Sequence, residues 1–156
     1  MSTFKKAALA IGLTLAATTV IAQPAKSLKH ATKATELRQS LFQLIVNNMG
    51  PMGAMAKGKI PIDKDLIAKN AMRINHLSLM IPDYMATDTR KFKVETEALD
   101  KAWTNPALLA EKANALTLAA ANLQKVVLTG NDMAIKKAIG GIGKTCGGCH
   151  DSFKAD

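Results

Sequence analysis

The chain has two cysteines, and they stand three residues apart near its C-terminus, in Cys146-Gly-Gly-Cys149-His150. Cys-x-x-Cys-His is the attachment signature of a c-type haem. On a helix, residues three apart share a face, so Cys146 and Cys149 can both reach the two vinyl groups of one porphyrin. His150, four residues after Cys146, then projects toward the iron as axial ligand. Other uses of the pair fit less well. A zinc site needs two more ligands, and no further cysteine exists. A thioredoxin-like redox pair follows a strand and opens a helix, whereas this pair sits near the end of a helical run. A disulfide across three helical residues is strained. The motif therefore predicts one haem c per chain, bound covalently through two thioethers, with His150 on the iron.

The N-terminus agrees with that chemistry. Lys5 and Lys6 precede an uncharged apolar run from Ala7 to Ile21, and Val20 and Ala22 are small enough for a cleavage site. The run is too short to span a membrane, and no later segment approaches the required length. The sequence thus divides into a signal peptide, 1–22, and one domain, 23–156. Haem c is attached on the outer side of the bacterial membrane, so the expected location is the periplasm. After cleavage no membrane association is expected.

Lysine and arginine outnumber aspartate and glutamate by 21 to 12, a formal charge of +9. The lysines are scattered and not blocked, which reads as a soluble basic surface. A nucleic-acid partner is not expected for an exported protein. Aromatic residues make up 4% of the chain, and alanine, leucine and lysine dominate, which favours an all-helical fold.

Four helices can be read from apolar periodicity. The first runs from about Lys29 to about Met49 and carries two stripes. One is Leu37, Leu41, Leu44 and Asn48; the other is Arg38, Phe42, Ile45, Met49 and Met52. Two stripes exceed what one core-facing side needs. The excess can face a cofactor, a second subunit or both. Gly50-Pro51 is expected to end or kink this helix. The second helix starts at the N-cap Asp63 and buries Ile67, Ala71, Ile74 and Ile81, with Pro82 as its stop. The long connection to Thr104 is expected to hold one short helix around Glu95 to Ala102.

The third helix opens on Asn105-Pro106. Its seam is Leu109, Ala113, Leu116, Ala120, Leu123 and Val127, stepping by fours and threes. Gly130 stops it and Asn131 caps the fourth helix, so these two are antiparallel neighbours. The fourth helix repeats the pattern in Ile135, Ile139, Ile142, Cys146, Cys149 and Phe153. Both haem-linking cysteines therefore fall on a core-facing stripe. The same helix contains Gly140, Gly141, Gly143, Gly147 and Gly148, each costing about 1 kcal/mol relative to alanine. Close approach of a flat porphyrin is the expected compensation.

Four helices with Cys-x-x-Cys-His near the C-terminus resemble the cytochrome c prime family. Leu37-Arg38-Gln39-Ser40 looks like the Arg-Gln pair on that family's first helix. Gly58-Lys59-Ile60-Pro61-Ile62-Asp63 looks like its Gly-x-x-Pro-x-Asp turn, and Ala102-Trp103 is similar to its aromatic between helices. Gly140-Gly141-Ile142-Gly143 leads into the attachment site in the same manner. The resemblance implies an antiparallel four-helix bundle, usually a homodimer packed through its first two helices. It implies five-coordinate iron, with His150 on one side and an apolar residue, here Phe42, on the other. It places Arg38 near a haem propionate with Gln39 beside it, Trp103 at the cofactor, and Lys154 near the proximal face.

The function that follows is binding of small gases, NO and CO, with sequestration of NO and no enzymatic turnover. An apolar wall offers no hydrogen-bond donor to dioxygen, and no distal histidine–arginine pair suggests a peroxidase. The rival is an electron carrier with low-spin, six-coordinate haem, in which Met49 supplies the sixth ligand and the basic surface docks redox partners. His30 and His76 read as surface or packing residues. Met49, Met52 and Met55 read as core filler, not a copper site.

Overall fold

Four long amphipathic segments give four long helices. The computed structural model describes residues 22–155; the expected signal peptide, Ala22 apart, lies outside them. The chain forms α1 (Leu28–Ala56), α2 (Lys64–Leu79), α3 (Ile81–Met85), α4 (Lys101–Thr104), α5 (Pro106–Val127) and α6 (Asp132–Phe153). α1 packs on α2 and α6, and α5 packs on the same two, so the long helices close a ring around one core. This is the all-α four-helix bundle that the periodicity predicts. Strand pairing among the described residues is limited to β1 (Gln23–Pro24), parallel to β2 (Thr87–Asp88), and one bridge between Ala98 and Lys154.

The caps fall where the sequence puts them. Side-chain oxygens of Asp63, Asn105 and Asn131 accept from the backbone N–H of Leu66, Leu108 and Ala134 at 2.9, 3.1 and 3.0 Å. Each satisfies a donor that the first helical turn leaves free. Gly130 adopts φ +70° between α5 and α6, a conformation that glycine takes without a Cβ penalty. The seam of α5 is buried as read, and on α6 Ile135, Ile139, Ile142 and Phe153 are buried with both cysteines half-buried.

α1 departs from the expectation. It passes through Gly50-Pro51 and ends seven residues beyond Met49, at Ala56. A proline inside a helix costs about 3 kcal/mol. Met52 and Met55, at 0% and 2% exposure, lie beyond it, and burying each contributes roughly 1.5–3 kcal/mol. Burial outweighs the proline. The two stripes are also not both buried. The core face takes Leu41 and Asn48 from one and Arg38, Ile45 and Met52 from the other. Leu37 and Leu44 remain 42% and 52% exposed, on the outer side.

The connection from α2 to α5 also differs. α2 stops at Leu79, and Pro82 sits in the separate α3. The short helix is Lys101–Thr104, not Glu95 to Ala102. Residues 95–99 stay extended because their backbone groups have tertiary partners. The Glu95 carbonyl accepts from Gln39, the Glu97 carbonyl from Ala155, and the Leu99 N–H donates to Phe153. A helix would need those groups for itself.

Farther back in the same connection, Asp88 and Arg90 form an ion pair, Arg90 Nη2 to Asp88 Oδ2 at 2.6 Å. Hydrogen bonds from the Arg90 side chain hold the Asp88 carboxyl below its usual range. A depressed folded value adds stability above the unfolded value of about 3.9, and that stability is lost as pH falls through the folded value. Asp88→Asn is therefore expected to lower Tm near pH 6 and to lose its deficit toward pH 2–3. Thermal melts at the two pH values check this; a deficit that stays constant would mean the pair contributes nothing.

Candidate functional site

The attachment motif lies in the last two turns of α6, on a helix whose adjacent stripes do different things. One stripe, Ile135, Ile139, Ile142, Cys146, Cys149 and Phe153, is the core seam. The next, Gly140, Gly143, Gly147 and His150, is exposed. Gly140 and Gly143 of that second stripe face α1. A groove of about 600 Å³ between the two helices is lined by Met49, Gly50, Gly53 and Ala56 from α1 and by Ile139, Gly140 and Gly143 from α6.

The groove sets the turns from Met49 to Ala56 beside the turn from Ile139 to Gly143. α1 and α6 run antiparallel, so a step back along one matches a step forward along the other. Eight residues back from Gly50 is Phe42; seven residues on from Gly143 is His150. At 1.5 Å rise per residue this sets the two within about a turn of each other along the bundle. Phe42 is half-buried and shares its side of α1 with Met49, Gly53 and Ala56. Met49 lies seven residues, about 10 Å, farther down.

A Cβ built on any of the five α6 glycines meets no neighbouring atom within 4 Å. Protein packing therefore does not require glycine at these positions. Those on the His150 stripe leave the side of α6 toward α1 bare of side chains, as a flat ring attached at Cys146 and Cys149 needs. Before attachment, burial pushes both thiols up; the neighbouring Cys146 adds to the effect on Cys149, and Lys112 opposes it.

Arg38 is 2% exposed. Its Nη2 donates to Thr35 Oγ1 at 3.2 Å and to Thr96 Oγ1 at 3.4 Å. Its Cζ stands 5.1 Å from the centroid of the Trp103 ring. Burial pulls its pKa down. Its Nη1 has no hydrogen-bond partner. A buried unsatisfied guanidinium nitrogen is costly, and a haem propionate is the kind of anion that would satisfy it. With two thiols on the core seam and an imidazole on the adjacent face, the residues present fit a haem c.

The other expected site residues are placed less directly. Gln39 is exposed, and its Nε2 donates to the Glu95 carbonyl at 2.9 Å, so it pins the connection and does not join the Arg38 cluster. Lys154 is not on the helix: α6 ends at Phe153, and Lys154 is extended, with its Nζ 3.1 Å from Glu97 Oε2. The bridge to Ala98 takes it out of the helical register. Trp103 is buried beneath Arg38. Thr35 and Thr96, which hold Arg38, were not legible as site residues; threonine next to arginine carries no motif.

A helix bundle built to carry its haem on the core seam of its last helix is a distinct class of c-type cytochrome, and the comparisons agree. The Cytochrome C' family model matches residues 33–154, and the chain belongs to that family. Cytochrome c' of Rubrivivax gelatinosus is 37% identical over 78% of this chain and 93% of its own length. Cytochrome c prime from Shewanella frigidimarina superposes with a TM-score of 0.73 at 36% identity, over 81% of this chain and 97% of that one. A ferrous variant of cytochrome c prime from Alcaligenes xylosoxidans with bound NO superposes at 0.71 with 25% identity, over 81% and 96%. The chain therefore carries covalent haem c near its C-terminus.

Proposed function

We propose that this chain is a periplasmic, non-enzymatic haem c protein that binds small diatomic gases and sequesters nitric oxide. When bound, the haem supplies a five-coordinate iron whose open position takes NO or CO. Cys146 and Cys149 would hold the ring, His150 would ligate the iron, and Arg38 would pair with a propionate through Nη1. The observation that carries the reading is the orphaned, buried Nη1 of Arg38, one turn before Phe42 on α1, the apolar ring that the reading sets opposite His150. Phe42 donates no hydrogen bond and can ligate nothing, so it closes that side sterically and leaves the iron without a second protein ligand. Met49, about 10 Å along the helix, is out of reach. Trp103 acts from behind Arg38, and Gln39 holds the connection at the Glu95 carbonyl. Lys154 stands beside His150 through its backbone N–H, which donates to the His150 carbonyl at 3.0 Å. Its ammonium is tethered to Glu97, at the edge of the proximal side.

Support for the ligand comes from the Alcaligenes relative with bound NO. Among the described residues no helix is long and apolar enough to cross a membrane, in keeping with an exported domain that leaves its signal behind. Absorption spectra of the ferric and ferrous protein, followed by titration of the ferrous form with NO, test the reading. High-spin spectra and stoichiometric NO binding are expected. A low-spin ferrous spectrum would instead identify an electron carrier that docks redox partners through its basic surface.

Assembly follows from α1. Leu37 and Leu44 lie exposed on its outer side, and Leu44 lines a shallow groove with Glu36, Gln39, Ser40, Gln43 and Asn47. A second copy meeting this face buries both leucines in a symmetric dimer. Sedimentation at micromolar concentration should give a dimer for the native chain and a monomer for Leu37→Lys/Leu44→Lys. A native monomer would remove the dimer.

A further inference from the structure

Arg38 is held in place from outside its own helix. Trp103 Nε1 donates to the carbonyls of Met85 and Thr87, both at 3.1 Å. The carbonyls in between and after, Ala86 and Asp88, accept from Gln23 N and Ala25 N at 2.7 and 2.8 Å. The Met85 and Thr87 carbonyls thus hold the indole, while those of Ala86 and Asp88 pair with the chain at β1. The polar edge of Trp103 is fixed by this double anchor, and its face is fixed against Arg38 at 5.1 Å. The remaining contacts of the guanidinium, to Thr35 and Thr96, are both on Nη2 and both 3.2 Å or longer. Neither bonds Nη1.

We propose that Trp103 is a positioning residue. Anchored by the Met85 and Thr87 carbonyls, its ring holds the Arg38 guanidinium with Nη1 toward a haem carboxylate, and so raises the haem reduction potential. The proposal rests on the reading of Arg38 as the propionate partner. The physical ground is electrostatic. A fixed positive charge in a water-poor site favours the form of the haem with one positive charge fewer. A guanidinium free to swing toward solvent is screened and does so less. The cation–π contact compensates part of the cost of burying the charge, and only while the ring stays flat beneath it.

The test is the midpoint potential of the holoprotein in Arg38→Gln, Trp103→Leu, the double variant and Trp103→Phe, with spectra confirming intact haem. Arg38→Gln is expected to lower the ferrous-to-ferric ratio at a fixed applied potential about tenfold, equivalent to 59 mV for one electron. Trp103→Leu is expected to lower it at least threefold, and the double variant no further than Arg38→Gln alone, because Trp103 acts through Arg38. Trp103→Phe keeps an aromatic face without the anchoring N–H and is expected to fall between native and Trp103→Leu. It carries the test if the leucine variant does not fold; a native potential for the phenylalanine variant then overturns the proposal. A lowered potential in Arg38→Gln with a native one in Trp103→Leu overturns the positioning role and leaves the Arg38 reading standing. Additive shifts in the double variant overturn it too. No shift in Arg38→Gln removes the Arg38 reading and the positioning role together.

Discussion

Replacing Phe42 with alanine is expected to raise the CO association rate of the ferrous protein by one to two orders of magnitude. Phe42 is half-buried and packed against the core, and the proposed reading sets it over the iron opposite His150. A diatomic approaching the iron on that side must first displace the ring. Moving a packed ring costs a few kcal/mol, and each 1.36 kcal/mol is tenfold in rate. About 2 kcal/mol thus corresponds to roughly thirtyfold. The alanine side chain removes that step, and the space it leaves also admits water. Stopped-flow or flash-photolysis measurement of CO binding checks the rate.

Met49→Ala is the matched control. Met49 shares the Phe42 side of α1 but lies beside the Gly50–Gly143 groove, so it should leave both spectrum and CO rate unchanged. If Met49→Ala turns a low-spin spectrum into a high-spin one, the α1–α6 register is wrong at that point. The protein would then be an electron carrier with methionine on the iron, and the gas-binding reading would fall with it.

Much of this arrangement was legible because its signals are local. The α5–α6 hairpin is marked by Asn105-Pro106, Gly130 and Asn131, each within a few residues of the boundary it sets. The two seams repeat long enough for their period to be read. The attachment motif is five residues long and needs no fold to be recognised. What could not be read depends on partners remote in sequence. Pro51 predicts a break on local grounds, but Met52 and Met55 find the core and carry α1 through it. β1 and β2 are two residues each, too short to show a period, and exist because Gln23 meets Thr87. Lys154 looks helical by spacing until Ala98 pairs with it. Arg38 was placed by resemblance, but what holds it comes from Thr96, 58 residues away, and from a tryptophan fixed by backbone carbonyls. Backbone carbonyls carry no sequence signature, so that half of the site had none to find.

Removing the attachment cysteines is expected to unwind the C-terminal half of α6 while its N-terminal half persists. Five glycines cost α6 about 5 kcal/mol in total, comparable with the whole stability of a small domain. The cost is not evenly opposed. Ile135, Ile139 and Ile142 are essentially fully buried against the bundle, and each contributes roughly 1.5–3 kcal/mol, enough to hold the first half with the Asn131 cap. Among the described residues from Gly143 onward Phe153 is the one buried core side chain, while Gly143, Gly147 and Gly148 weaken the helix. The haem bonds at Cys146 and Cys149 are what remains to hold this half. In haem-free Cys146→Ala/Cys149→Ala, amides from Gly143 to Phe153 should therefore exchange rapidly while those from Ile135 to Ile142 stay protected. Helical ellipticity and melting temperature should both fall. The unwinding should also release residues 97–99, since Glu97 and Leu99 are bonded to Ala155 and Phe153. Unchanged exchange, ellipticity and melting temperature would show that α6 holds itself, and that its glycines have a compensation other than the haem.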